Sequence, residues 1–248
     1  MTIEVLPVDL GPGVHAGFST RIGGVSDGPW RTANLGLGVN DDPRRVHANR
    51  GLLAGWVGAP VHFARQVHGT DVLVVDDQPR DLPSLNEPAP ADALVTDVPG
   101  VALGVLAADC VPVLLFDPVS GAAGVAHAGR RGLAGGILQR TVEALNRLGA
   151  RPEDLRAAVG PSAGGCCYEV PEQLRAEVAA IVPGSASTTT WGTPSLDLPA
   201  GAVAVLRGLG LREVQRVQVC TMTDQRFYSY RREGVTGRFA GVVRTAAA

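Results

Sequence analysis

The sequence predicts an α+β fold: a single domain over residues 1–248 in which mixed and antiparallel sheets stack and helices flank them. Three observations predict it. Short apolar runs rich in Val, Leu and Ala recur along the chain, each bounded by Gly or Pro turn signals. Apolar residues at helical spacing occur in only a few windows. The two patterns do not alternate strictly, so the order is mixed rather than a repeated βαβ unit. A chain of 248 residues can bury a substantial core. With 45% apolar but only 4% aromatic residues, that core must be built from aliphatic side chains.

The elements follow in order. Residues 1–20 hold two short strands broken by Gly11-Pro12-Gly13, and residues 21–43 read as loop. Pro43 opens a helix reaching about Ala54, with Asp41 or Asp42 as its N-cap. Residues 61–77 read as strand, turn, strand, interrupted at Gly69-Thr70, and residues 78–91 as a proline-rich loop. Two apolar runs follow around Pro99-Gly100, then two more around "DPVSG". Leu133, Ile137, Leu138, Val142, Leu145 and Leu148 predict one helix, which Gly149 ends. "LRAAVGP" is a strand, residues from Pro171 and from Ala200 are helices, and "VQRVQVCTM" and "FAGVVRT" are strands.

Composition excludes some function classes. There are 24 acidic and 22 basic side chains, so no basic excess calls for nucleic acid or a membrane surface. No run of about 18 apolar residues spans a bilayer, and the N-terminus does not read as a secretory signal. The four cysteines do not form a small disulfide framework. A reduced, cytoplasmic protein is the expectation.

Residues 108–129, "ADCVPVLLFDPVSGAAGVAHAG", carry the first chemical signal. "DPVSG" predicts a hairpin. A turn centred between Pro118 and Val119 sets Phe116 against Gly121 and Cys110 against His127. Opposed residues have Cβ atoms roughly 4.5–5.5 Å apart, within reach of a shared ion or proton. His68, in "RQVHGTDV", lies like His127 at an inferred strand end within two residues of a glycine. One Cys and two His supply three ligands and leave a fourth position open, the pattern of a catalytic zinc.

The same pair also fits a metal-free cysteine hydrolase, with Cys110 as nucleophile and His127 as base. His68 decides between them, being required only for the metal. Copper oxidation is disfavoured, because a multicopper centre needs more than the five histidines present. A non-catalytic binding scaffold is the third reading.

"RQVHGTDV", "ADALVT", "ADCVPVLLFDP", "VAHAGRRG", "GPSAGGCCYEV" and "CTMTDQRFYSYRREGVTGR" together resemble the YfiH-like, laccase-domain family of purine nucleoside phosphorylases. The resemblance implies one domain of stacked mixed sheets and a zinc ion held by His68, Cys110 and His127. It implies phosphorolysis of adenosine, inosine, guanosine or S-methyl-5′-thioadenosine to free base and pentose 1-phosphate. It also implies adenosine deamination, which a metal-activated water would explain. The family usually has Trp where this chain has Arg130, whereas Arg131 keeps the family position.

The expected partners are a purine nucleoside and inorganic phosphate, bound by a monomer or small homo-oligomer. Phosphorolysis needs cationic groups around a dianion. Arg131 is the first candidate; Arg21, Asn34 and Arg65 follow, Arg65 reading more as a surface residue. Asp109 is expected to orient a ligand or accept a substrate proton. Cys166 and Cys167 read as a packed loop, Tyr168 as a pocket wall and Cys220 as core. Phe227 and Tyr228 divide evenly between purine stacking and core.

Overall fold

The computed structural model describes residues 2–76 and 89–246. In chain order the elements are β1 Val5–Pro7, β2 Val14–Ser19, α1 Pro43–Val57, β3 Val61–Phe63, β4 Val72–Val74, β5 Ala93–Thr96 and β6 Ala102–Ala107. They continue with β7 Val111–Phe116, β8 Ala123–Ala128, α2 Arg130–Gly135, α3 Ile137–Arg147, β9 Arg156–Val159, α4 Glu172–Ile181, β10 Ala186–Thr188 and β11 Pro194–Leu196. The last are α5 Leu198–Gly208, β12 Glu213–Arg216, α6 Tyr230–Glu233 and β13 Phe239–Thr245.

Two mixed sheets dominate. One has the order β1-β2-β13-β6-β3 and the other β12-β9-β7-β8-β5-β4; β10 and β11 form a separate hairpin. Alternation along β7 explains how the sheets stack. Leu114 and Phe116 join Phe18, Leu103, Val105 and Val243 in the core between the sheets. Val113 and Leu115 point the other way, into a core shared with α3 and α5. Helix α1 covers the outer face of the five-stranded sheet through Leu53 and Val57. The layers are therefore helix, sheet, sheet and helices, as the fold class predicted. Each large aliphatic or aromatic side chain buried here contributes roughly 1.5–3 kcal/mol.

Local rules hold at most boundaries. Pro43 opens α1, and the Asp42 carboxylate accepts the Arg44 N–H at 2.9 Å; Asp41 turns inward instead. The helix expected over 133–148 is two helices, α2 and α3, because Gly136 adopts φ 92° between them. The strands on either side of Gly69 do not pair. Strand β3 lies parallel to β6 in one sheet and β4 parallel to β5 in the other. Residues 77–88, which include most of the expected proline-rich loop, lie outside the described residues. Among the described residues, no helix is long and apolar enough to cross a membrane.

The hairpin register differs from the expected one by two residues. Pro112, not Cys110, stands opposite His127, and Ala123, not Gly121, opposite Phe116. The loop is longer than expected: Asp117 N–H bonds Ala122 O at 2.9 Å and closes it. Side chains alternate with period two, so a slip of two keeps Cys110 on the His127 face.

Candidate metal centre

Three chain features meet at one end of the two sheets. Residues 64–71 carry the chain from β3 to β4, and so from the five-stranded to the six-stranded sheet; His68 sits on that crossover. Residues 108–110 make a second such crossover, from β6 to β7, and end in Cys110. His127 stands near the end of β8 on the face that looks toward the other sheet. The ligand atoms of these three residues lie within 4.8 Å of one another. Cys110 Sγ is 3.8 Å from His68 Nε2, and the two imidazoles meet edge to face with centroids 4.7 Å apart.

The crossovers are held in unusual backbone conformations. His68 has φ 61° and Asp109 φ 91°, a region that costs a non-glycine residue about 1–3 kcal/mol unless its surroundings fix it. Asp92 fixes the first. Its carboxylate accepts the backbone N–H groups of Val67 at 3.2 Å, His68 at 2.9 Å and Gly69 at 2.7 Å. The same carboxylate bonds His127 Nδ1 at 2.8 Å, which leaves Nε2 as the ring's free ligand atom. One buried acid therefore seats both histidines. Asp109 is fixed by Thr221 Oγ1 and Arg231 N–H, each donating to its carboxylate at 2.7 Å.

Gly129 completes the cradle. A Cβ there would lie 3.0 Å from His68 Cδ2 and 3.2 Å from Cys110 Sγ. Burial opposes charge on Cys110 and His127, but thiolate and imidazolium stabilise each other and Asp92 supports the cation. Together with hydrogen bonds from both histidines, this lowers the Cys110 thiol to about 6 and raises His127 to about 9. A convergent thiolate and two imidazoles, one oriented by a carboxylate behind it, fit a tetrahedral cation with one open position.

The trio opens into a cavity of about 680 Å³. Its walls are apolar segments of 36–39 and 106–108 together with Arg50, Arg65, Arg130, Arg231 and Arg238; among the described residues Asp109 is the one carboxylate on its lining. Burial lowers Arg50 to about 10, which leaves it cationic at neutral pH, and burial also lowers Arg238. Such a wall suits an anionic ligand.

The other expected site residues lie in several places. Asp109 lines the cavity, and each of its oxygens accepts one hydrogen bond from the 221–231 segment, which it holds in place. Arg131 is exposed and does not line the cavity; Arg130 beside it does. The first turn of α2 directs one arginine inward and the next outward. Arg21 lines a different depression, bonds Glu233 at 2.6 Å and Arg31 O at 2.8 Å, and lies over the Tyr228 ring. Asn34 is fully buried behind the cavity: its Oδ1 accepts N–H groups of Gly36 at 2.9 Å and Arg238 at 2.8 Å. It joins two wall segments from behind.

Arg65 is exposed, as expected of a surface residue, and also lines the cavity; Tyr168 is a wall with Arg231 stacked on it at 4.7 Å. Phe227 and Tyr228 are fully buried core. Sequence reasoning missed Asp92. Its signal was an acid opening the apolar run "ADALVT".

Fold and cluster together define a two-sheet α+β protein with a Cys/His/His centre beneath an arginine-lined cavity. A family model described as multi-copper polyphenol oxidoreductase laccase matches residues 15–246, and the chain belongs to that laccase-domain family. It is 50% identical over 235 residues to a purine nucleoside phosphorylase of Streptomyces coelicolor, covering 93% of this chain and 95% of that protein. It is 47% identical over 235 residues to a purine nucleoside phosphorylase of Streptomyces griseus, covering 92% and 93%. The crystal structure of YfiH from Bacillus licheniformis superposes with a TM-score of 0.86 at 33% identity, covering 94% of this chain and 92% of that one.

Proposed function

We propose that this protein is a purine nucleoside phosphorylase whose cavity takes a purine nucleoside and inorganic phosphate, with zinc held by His68, Cys110 and His127. The observation that carries the reading is the arginine wall over the Cys/His/His floor within one cavity of nucleoside size. The names of the Streptomyces relatives support the same reaction class. A zinc ion there would supply positive charge and Lewis acidity at the cavity floor.

Phosphorolysis forms a bond from a phosphate oxygen to C1′ as the C1′–N bond breaks and its electron pair leaves with the base. The protein's task is to hold a dianion behind C1′ while positive charge grows on the sugar. Arg130 and Arg65 are assigned to the phosphate, because neither guanidinium has a partner among the described residues. Arg231 and Arg238 are tied to Tyr168 and to the Thr236 and Gly237 carbonyls and shape the wall. Asp92 keeps the His127 ring oriented, and Asn34 keeps the 36–39 wall in place.

Deamination of adenosine by the same cavity is less well supported. A zinc deaminase uses a carboxylate beside the metal as general acid and base. Among the described residues no glutamate lines the cavity, and each Asp109 oxygen accepts a hydrogen bond from the 221–231 segment. The cysteine hydrolase reading gains one observation: Asp92, His127 and Cys110 stand in the order of a triad. Against it, Asp92 spends three hydrogen bonds on the backbone around His68, which a triad does not need.

The test is purified protein with adenosine, with and without phosphate, read by chromatography beside metal analysis. Phosphate-dependent adenine and ribose 1-phosphate are expected, with one zinc per chain. Inosine as sole product would replace this reading with deamination. Turnover preserved in metal-free His68→Ala would replace it with cysteine hydrolysis. Tight adenosine binding without turnover in zinc-loaded protein would leave a binding protein.

A further inference from the structure

We propose that Cys166, Cys167 and Cys220 form a second metal site, which takes a monovalent thiophilic cation such as Cu(I) on three sulfurs. It lies behind the cavity wall, since none of the three lines the cavity while Ala163 and Tyr168 beside them do. The inference does not depend on the phosphorylase reading.

Two loops build the cluster. Gly164 O accepts the N–H groups of Cys167 at 3.0 Å and Tyr168 at 2.9 Å, a tight turn that presents both adjacent cysteines. A parallel bridge pairs Ser162 with Cys220, with Thr221 N–H donating to Ser162 O at 3.0 Å. The Cys220 sulfur accepts the Gly164 N–H at 3.3 Å. Gly165 lets the first loop lie flat: a Cβ there would sit 2.4 Å from Ser187 Oγ and 2.9 Å from Asp197 Cβ. The three sulfurs consequently lie within 4.8 Å of one another, and all are free thiols.

Cys166 and Cys167 are poorly suited to a disulfide with each other, although their sulfurs are 2.9 Å apart. Their Cα atoms are about 3.8 Å apart across a trans peptide, below the roughly 4.4 Å at which disulfides begin. A cation relieves this. Metal–sulfur bonds of about 2.3 Å space three sulfurs about 4 Å apart, within the 4.8 Å span of this cluster and wider than the 2.9 Å between Cys166 and Cys167, which an ion would part. The donor set is sulfur alone, which selects soft cations. Structural zinc takes four protein ligands, and only three donors gather here among the described residues. That count favours a low-coordinate cation. Cys166 and Cys220 are half-buried, so an ion has a way in. Binding displaces thiol protons to solvent and changes no oxidation state.

The experiment uses full-length His68→Ala protein, whose first site is dismantled, titrated anaerobically with Cu(I) against a competing chelator. One equivalent is expected to bind, with an X-ray absorption shell of three sulfurs. Adding Cys166→Ser and Cys220→Ser should reduce this to none, with circular dichroism verifying the fold. Cys167→Ser alone should leave a two-sulfur shell, and it decides the question if the multiple variant does not fold. No binding in His68→Ala protein, undiminished binding after cysteine replacement, or a nitrogen-containing shell would each overturn the proposal.

Discussion

The His68–Cys110–His127 and Cys166–Cys167–Cys220 clusters each gather three ligand atoms within 4.8 Å of one another, in different surroundings. Behind the first stands a buried carboxylate that touches both histidines, and before it a cavity with five arginines. In the second, the Gly164 N–H supports the Cys220 sulfur, and none of the three cysteines lines that cavity. Ligand spacing can gather an ion, but chemistry on a substrate needs an oriented ligand set and room beside it. The first cluster has both.

The largest expected effect is at Asp92. Asp92→Ala strips His127 Nδ1 and three backbone N–H groups of their acceptor. It should cost roughly 3–5 kcal/mol of stability, as the loss of a buried charged partner does, and about 10–100-fold in metal affinity. Cys220→Ser, by contrast, should cost under about 1 kcal/mol. Thermal melts and metal competition on the two proteins decide it. Equal losses would erase the distinction between an oriented and an unsupported cluster.

Next comes His68→Ala. It should empty the first site of metal and lower kcat/KM by more than the roughly 100-fold that loss of an outer partner costs. The sulfur cluster should be untouched, as read by metal analysis and initial rates. Unchanged rates in the metal-free variant would move the first cluster to the hydrolase class.

A third effect separates two neighbouring arginines. Arg130→Ala should raise the phosphate KM about 10–100-fold, the equivalent of one charged hydrogen bond. Arg131→Ala should change it less than about twofold, because Arg131 is exposed outside the cavity. The reverse order would return the phosphate to Arg131.

The smallest effect lies away from both clusters and serves as a control. Burial raises the Glu233 carboxyl, but hydrogen bonds from Thr236, Arg21 and Arg232 outweigh it and hold the group below its ordinary 4.5. A depressed acid contributes stability above its unfolded value and loses it as pH falls through the folded one. Glu233→Gln should therefore flatten the decline of Tm below about pH 4.5, by an amount worth under about 1 kcal/mol for a partly exposed pair. Metal content should stay constant; a change would tie this pair to the centre.

What the sequence determined by itself was set by short-range chemistry. Short apolar runs and Gly or Pro punctuation placed β2, β7, β8 and β13, and Asp42-Pro43 placed the start of α1. His68, Cys110 and His127 were legible only as a set: singly each fits a packed sheet, but the hairpin brings the thiol and one imidazole together and the second imidazole has the same glycine-flanked setting. The tertiary structure decided what depends on distant contacts. Strands adjacent in sequence, β3 and β4, entered different sheets, because each found its parallel partner elsewhere. That choice put His68 and Cys110 on crossovers at one end. Asp92, Arg130 and the three-sulfur cluster owe their surroundings to such crossings, and no local pattern records which side chain will face which across the gap between two sheets.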